Sequence, residues 1–344
     1  MGVKITDLFK GEEIELDHLS GKTIAIDSFM FLYQFLTTIR QKDGSLLMDS
    51  KGQVTSHLTG LFNRTVKLMS IGVKLIFVFD GKAPELKKKE RERRAALKEQ
   101  AQKQYEVAKE REDLEQMKKY AARTTRLTPD MVEEAKKLIE ALGCPIVQAP
   151  SEGEAQAAYI VQAGDAWGIA TQDADALLFK APRLIRNLSV AGKRKKANRL
   201  SYETINLEVI ELKGVLDKLE INQDQLIALA MLVGTDYNLG GIKGIGQKNA
   251  LKLIKQYKND FDKLFKEVKW DESFDFPWQN VFNLINKMPI KKDYSLKWKP
   301  VDRKKVYEVL VENHDFTAER VNSTLDRLQD NKTKQQQKGL GEFF

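Results

Sequence analysis

An α/β fold, with a mostly parallel twisted sheet flanked by helices, is what this sequence predicts, and three observations lead there. Short runs rich in β-branched residues recur through the first half of the chain, helical patterns separate them, and the runs are continuously apolar rather than alternating. Strands buried on both faces of a parallel sheet read that way. TIAID (23–27) is the first such strand and KLIFVFD (74–80) the second, with a helical pattern over 54–71 between them. PIVQ (145–148), WGIAT (167–171) and LIRNLSV (184–190) continue the series, separated by helical patterns over 128–142 and 152–163. After Asn206 the pattern is wholly helical.

The stretch from 84 to about 120 differs, being dense in Lys, Arg and Glu and poor in large apolar residues. It reads either as a solvated helical hairpin laced with i,i+4 ion pairs or as a helical insertion standing over the carboxyl end of the sheet. The end, NKTKQQQK (331–338), is polar and of low complexity, so a disordered tail is expected.

The 344 residues carry 57 Lys plus Arg against 49 Asp plus Glu, a net +8. That balance favours a polyanionic partner, and with no long apolar span the partner is nucleic acid before membrane. A single cysteine, Cys144, excludes an internal disulfide framework and a cysteine-based zinc site. The scattered His18, His57 and His314 do not suggest a histidine-rich metal site. MGVKITDLFKGEE has no apolar signal core, so an intracellular protein is expected.

In open parallel sheets the chemistry sits just beyond the carboxyl ends of the strands. Asp27 closes TIAID, and Asp80 closes KLIFVFD. Glu152 and Glu154 follow PIVQ, and Asp173 and Asp175 follow WGIAT. Asp236 lies in VGTDY, where an apolar helix over 226–233 breaks at Gly234. Converging unpaired, these carboxylates would repel one another and resist burial, which calls for bound cations. Oxygen-only ligands favour Mg²⁺ or Mn²⁺ over zinc. Taken singly each acid has a plainer explanation. Asp27 and Asp80 could be helix caps, Ser151 with Glu154 fits a capping box, and Asp173 or Asp175 could cap the next helix. Caps do not predict four successive strand ends each bearing an acid, two of them as i,i+2 pairs, so the metal reading is preferred.

The blocks IAIDSFMFLYQFL, VFDGKAPELKKKERERR, QAPSEGEAQAAY, ATQDADALLF and VGTDYNLGGIKGIGQKNAL resemble the flap endonucleases of the structure-specific 5′-nuclease superfamily. The archaeal form is the nearer likeness, because no basic extension follows the terminal motif. The resemblance implies two Mg²⁺ ions, with Mn²⁺ able to substitute, held by Asp27, Asp80, Glu152, Glu154, Asp173, Asp175 and Asp236. It implies catalytic cations at Lys87 and Arg94, seven residues apart on one helix face of a cap, beside the scissile phosphate. Tyr33 matches a base-stacking tyrosine, Gly2 a small residue near the DNA, and Thr55 a contact to a one-nucleotide 3′ flap. Ala174 stands where a bulkier residue is usual. If 173–175 alternate as a strand, it points away from both aspartates and leaves ligation intact.

Gly240 to Ile254 reads as a glycine-rich turn opening a helix, with Gly244 and Gly246 permitting close backbone approach to phosphate. Within this family it is the helix–two-turn–helix that holds duplex DNA, with a monovalent cation. Lys193 and Arg194, with Lys195 and Lys196, mark a basic hairpin loop suited to phosphate. At the terminus Gln337, Leu340, Phe343 and Phe344 fit the motif that docks on the sliding clamp, PCNA, as one helical turn with three apolar prongs. The expected organisation is a nuclease domain over 1–330 with a cap at about 84–125 and the helix–two-turn–helix at about 226–256, then a tail over 331–344. The expected activity is 5′ flap cutting with 5′–3′ exonuclease action, in Okazaki fragment processing and repair, by a monomer. Competing readings are a relative acting on gaps, nicks or four-way junctions or as a plain 5′ exonuclease, a ribonuclease of the small acidic-site fold that degrades single-stranded RNA, and a non-enzymatic clamp-binding scaffold. The glycine turn and the helical C-terminal half oppose the second, and seven acids are more than a scaffold needs.

Overall fold

The computed structural model describes residues 3, 5–111, 113–121, 123–190, 192–195 and 202–341, by backbone alone at 114, 118, 192–195, 202–204 and 332–341. The strands are β1 (Glu12–Ile14), β2 (Thr23–Asp27), β3 (Lys74–Phe79), β4 (Ile146–Gln148), β5 (Gly168–Ala170), β6 (Arg183–Arg186), β7 (Gly192–Lys195), β8 (Tyr202–Ile205) and β9 (Leu207–Glu211). The helices that bear on the argument are α1 (Ser28–Thr38), α2 (Ser56–Ser70), α3 (Lys88–Glu110), α4 (Leu114–Ala121) and α5 (Pro129–Ala141). After them come α6 (Gly153–Gln162), α7 (Asp175–Leu178), α8 (Leu212–Leu219), α9 (Gln223–Val233) and α10 (Gln247–Tyr257). The class is α/β with a mixed, mostly parallel seven-stranded sheet among helices. The chain divides into two compact units. The first gathers Met1–Glu15, Asp80–Arg93 and Gln148–Lys292; the second gathers Leu16–Phe79, Arg94–Val147 and Asp293–Phe344.

In the second unit β2 and β3 pair in parallel, with Ile24 opposite Leu75 and Ile26 opposite Phe77, and β4 follows β3 in the strand order. Every residue of β3 after Lys74 is buried, which is why that strand is apolar without alternation. Helix α2 packs on α1 at Gly60, where a Cβ would lie 2.2 Å from the Phe35 ring. The start of α5 follows the local chemistry: Thr128 accepts the Met131 N–H and Pro129 takes the first helical position.

In the first unit the strand order is β1-β9-β6-β5. There β5 and β6 run parallel, while β9 is antiparallel to both β6 and β1. Helix α9 is buried from Gln225 to Leu232, and a capping box between Asn222 and Gln225 closes its first turn.

Three expectations are corrected. The chain is not wholly helical after Asn206, because LEVIE forms β9, an antiparallel strand too short for its period to stand out from the helices after it. LIRNLSV stops being a strand at Arg186, since Asn187 takes a left-handed φ of 66° and turns the chain. The polar segment expected to be disordered continues the C-terminal helix Ala318–Gly341 in backbone terms, its Lys and Gln being good helix formers.

Candidate active site

Six of the seven acids, all but Asp27, lie in the first unit with Lys87. Asp80 immediately follows β3. Its Oδ1 accepts the Gly153 N–H at 2.6 Å from the first turn of α6. A Cβ at 153 would stand 2.5 Å from that same oxygen, so only glycine admits the carboxylate so close to the helix. The Gly81 N–H bonds the Ser151 carbonyl at 2.6 Å and the Gln148 amide bonds the Asp80 carbonyl at 2.7 Å, which ties 80–81 to 148–151.

Glu152 stands at the N-cap of α6 without capping it; its carboxylate instead accepts from the Lys87 ammonium at 2.7 Å. The same ammonium lies 3.5 Å from Asp236. Glu154 accepts the Thr171 hydroxyl at 3.1 Å. Asp175 Oδ1 accepts the Val3 N–H at 2.6 Å, which brings Val3 to the site. Asp236 sits in a rigid turn. Gly234 takes φ 111°, the Thr235 hydroxyl donates to Asn238 Oδ1 at 2.6 Å, and the Asn238 amide donates to the Met231 carbonyl at 2.7 Å.

The electrostatics follow from this crowding. Burial, then the charge of Glu152, raises the Asp80 carboxyl to about 6. Burial, only partly offset by the Val3 N–H, raises Asp175 to about 7, with Asp236 and Asp173 adding to the rise. Burial works against the Lys87 ammonium, but the charges of Glu152 and Asp236 and the bond to Glu152 outweigh it and push its pKa up. The Tyr237 hydroxyl is raised far above its ordinary value by burial and then by Glu152 and Asp175. The acids therefore repel one another and draw a cation in, which here is Lys87.

As they stand, no three His, Cys, Asp or Glu side chains among the described residues converge on a single ion position. The donor set still fits a hard divalent cation: every candidate ligand is a carboxylate oxygen, and an ammonium already sits between two of them.

The plain explanations separate cleanly here. Asp27 does cap α1, accepting the Met30 N–H at 3.0 Å. Ser151 makes no capping box; its hydroxyl bonds the Lys82 carbonyl, and α6 has no side-chain cap. Ala174, neither aspartate, is the N-cap of α7, and its backbone is helical, so the strand-alternation argument for it fails although it is buried. Lys87 ends a 3-10 turn, Glu85–Lys87, that runs without a gap into α3, which carries Arg94.

Around Asp236 the glycine turn is as expected. Gly244 needs its φ of 85°, Gly246 is the N-cap of α10 without a side-chain cap, and a Cβ on either would meet open space. Lys193 and Arg194 lie on β7 of the β7–β8 hairpin rather than in its loop. In the second unit Tyr33 is half-buried, with the Lys98 ammonium 4.9 Å from its ring centroid and 3.0 Å from its hydroxyl. Thr55 is buried at 5 % exposure. Gln337 and Leu340 fall on the C-terminal helix backbone, while Gly2, Phe343 and Phe344 lie outside the described residues. Sequence reasoning missed Val3, Gly153, Thr171 and Asn238. Of these only Gly153, set between two acids, carried a signal.

Residues 1–101 match the XPG N-terminal domain and residues 143–236 the XPG I-region. The class of the molecule is therefore that of the XPG-type nucleases, hydrolases acting on DNA. Within it, flap endonuclease 1 of Staphylothermus marinus is 49 % identical over 95 % of this chain and 94 % of the relative. That of Thermofilum pendens is 49 % identical over 100 % and 99 %. The flap endonuclease-1 structure from Methanococcus jannaschii superposes with a TM-score of 0.75 at 39 % identity, covering 97 % of this chain and all of that one. The catalytic core of Rad2 in complex with DNA substrate gives 0.67 at 25 % identity over 92 % and 96 %. The chain belongs to the flap endonuclease family, metal-dependent, structure-specific 5′ nucleases of replication and repair. No helix among the described residues is long and apolar enough to cross a membrane.

Proposed function

We propose that Asp80, Glu152, Glu154, Asp173, Asp175 and Asp236 hold two Mg²⁺ ions, for which Mn²⁺ can substitute, and that the site hydrolyses a phosphodiester at the junction of single strand and duplex. The observation that carries this reading is the Lys87 ammonium bound to Glu152 and close to Asp236, a cation already seated among the acids. Asp27 keeps a ligand role, and Arg94 a catalytic one, on the resemblance alone. When bound, such ions supply an activated water and charge stabilisation at the leaving oxygen. The chain's own residues do the rest. Gly153 and Val3 fix two carboxylates through their N–H groups, and Lys87, released from Glu152, offers its charge to the scissile phosphate.

The uncapped N-terminus of α10, with no acid in its first turn and Gly244 and Gly246 leaving space beside it, suits a duplex phosphate. A monovalent cation at this turn, base stacking by Tyr33, and DNA contacts by Gly2, Thr55, Lys193 and Arg194 complete the reading. So does clamp docking through Gln337, Leu340, Phe343 and Phe344.

A metal-titrated cleavage assay on matched flap, nick, gap and single-stranded substrates tests it. Cutting should need Mg²⁺ or Mn²⁺ and be fastest on the flap, and Asp175→Ala should abolish it while the fold survives. Near-normal cleavage by that variant at saturating Mg²⁺ would overturn the assignment.

A further inference from the structure

We propose that Thr171 is a positioning residue for the metal centre, its hydroxyl locking two of the acids in register. The proposal rests on the reading of the acids as metal ligands. Thr171 follows the last residue of β5 and is 3 % exposed. Its hydroxyl donates to Glu154 Oε1 at 3.1 Å and accepts the Asp173 N–H at 3.3 Å. One atom thus joins an acid of helix α6 to the backbone of an acid in the loop before α7, two elements that no covalent path aligns.

The direction of the bonds matters. A hydroxyl has one proton and two acceptor positions. With the proton spent on Glu154 and the acceptor side used by the Asp173 N–H, the hydroxyl cannot swing away without losing both. Glu154 is then held through Oε1. Asp173 is held through its backbone N–H. Buried partners of this kind orient ligands that would otherwise splay under their own repulsion, and removing one costs about 10–100-fold in metal affinity.

Two variants separate the hydroxyl from the rest of the side chain. Thr171→Val keeps the shape and the β-branch but removes both bonds; Thr171→Ser keeps the hydroxyl and loses the methyl. Mn²⁺ binding to each protein, followed by electron paramagnetic resonance without DNA, is read beside the Mg²⁺ concentration giving half-maximal single-turnover flap cutting. Thr171→Val should weaken Mn²⁺ binding about 10–100-fold and shift the Mg²⁺ midpoint by a like factor, with the rate largely recovered at saturating Mg²⁺. Thr171→Ser should stay close to the parent in both. If Thr171→Val binds Mn²⁺ like the parent, or Thr171→Ser is weakened as much as Thr171→Val, the hydroxyl does not position the ligands and the proposal fails. Glu154→Gln and Asp173→Asn, measured alongside, keep the two failures apart. If those variants also bind Mn²⁺ normally, it is the assignment of the acids that falls, and the role of Thr171 with it.

Discussion

At the residue scale the site is governed by how close like charges are forced. Asp80 and Asp175 ionise near pH 4 in an unfolded chain, yet hold their protons to about 6 and 7 in the fold. Between those limits the folded state binds more protons, so the metal-free protein should lose stability as pH rises from about 4 to 7. Thermal melting in a chelator at pH 5 and pH 7.5 should show the fall, and Asp175→Asn should flatten it. A melting temperature that climbs across this window in the parent, or an unchanged slope in the variant, contradicts the charge balance described. Gly153→Ala tests geometry rather than charge. Its Cβ would be driven to 2.5 Å from Asp80 Oδ1, and overpacking of this kind costs about 1–3 kcal/mol. Flap cutting should drop with it, because the carboxylate must move; unaltered activity would show that Asp80 has slack. Lys87→Ala should slow single-turnover cutting about 10²–10³-fold while barely altering DNA affinity. An equal, modest loss in both would make Lys87 an ordinary steering cation.

At the scale of elements, caps and packing set stability without touching chemistry. Helix α5 depends on the Thr128 bond to the Met131 N–H, and losing such a cap costs about 1 kcal/mol. Thr128→Ala should therefore lower the melting temperature by a few degrees and leave the flap-cutting rate per folded molecule unchanged. A lowered rate at a temperature where the variant stays folded would tie α5 to the chemistry. The turn after α9 is the opposite kind of element. Its hydrogen bonds run from Thr235 through Asn238 to Met231, and they hold the segment that carries Asp236, so its rigidity belongs to the site.

At the scale of the whole molecule, the proposed recruitment and the proposed catalysis fall to different stretches of chain. The net charge of +8 favours DNA without choosing a structure in it. The C-terminal motif would instead raise the local concentration of nuclease at its substrate. Replacing Phe343 and Phe344 together by Ala removes two of the three apolar prongs of that motif. Cleavage of a free flap should hardly change, while stimulation by the clamp should be lost. Titration calorimetry with the clamp should show the parent's negative heat-capacity change, the mark of apolar burial, disappear in the double variant. Native clamp affinity in that variant would place the docking surface elsewhere.

The sequence by itself determined the class of fold, because short, continuously apolar runs rich in β-branched residues, such as TIAID and KLIFVFD, read as strands covered on both faces, and it marked the acids at their ends. It determined the family as well, through blocks whose residue types the chemistry requires. It did not reveal β9, whose five residues are too few for a period to declare itself beside the helices that follow. It did not reveal that Lys87 ends a 3-10 turn leading into the α-helix that carries Arg94, since a tighter first turn leaves no mark in the spacing of charged residues. Only the tertiary structure decided which acid bonds its own helix and which bonds elsewhere: Asp27 accepts the Met30 N–H of the helix it opens, whereas Asp80 accepts the Gly153 N–H, far along the chain. The same holds for Val3 and Thr171, whose parts in the site rest on one backbone N–H and one hydroxyl. Local pattern records what each segment buries. It carries no trace of a hydrogen bond between residues 172 positions apart, as Val3 and Asp175 are, because that bond exists only once the chain has folded.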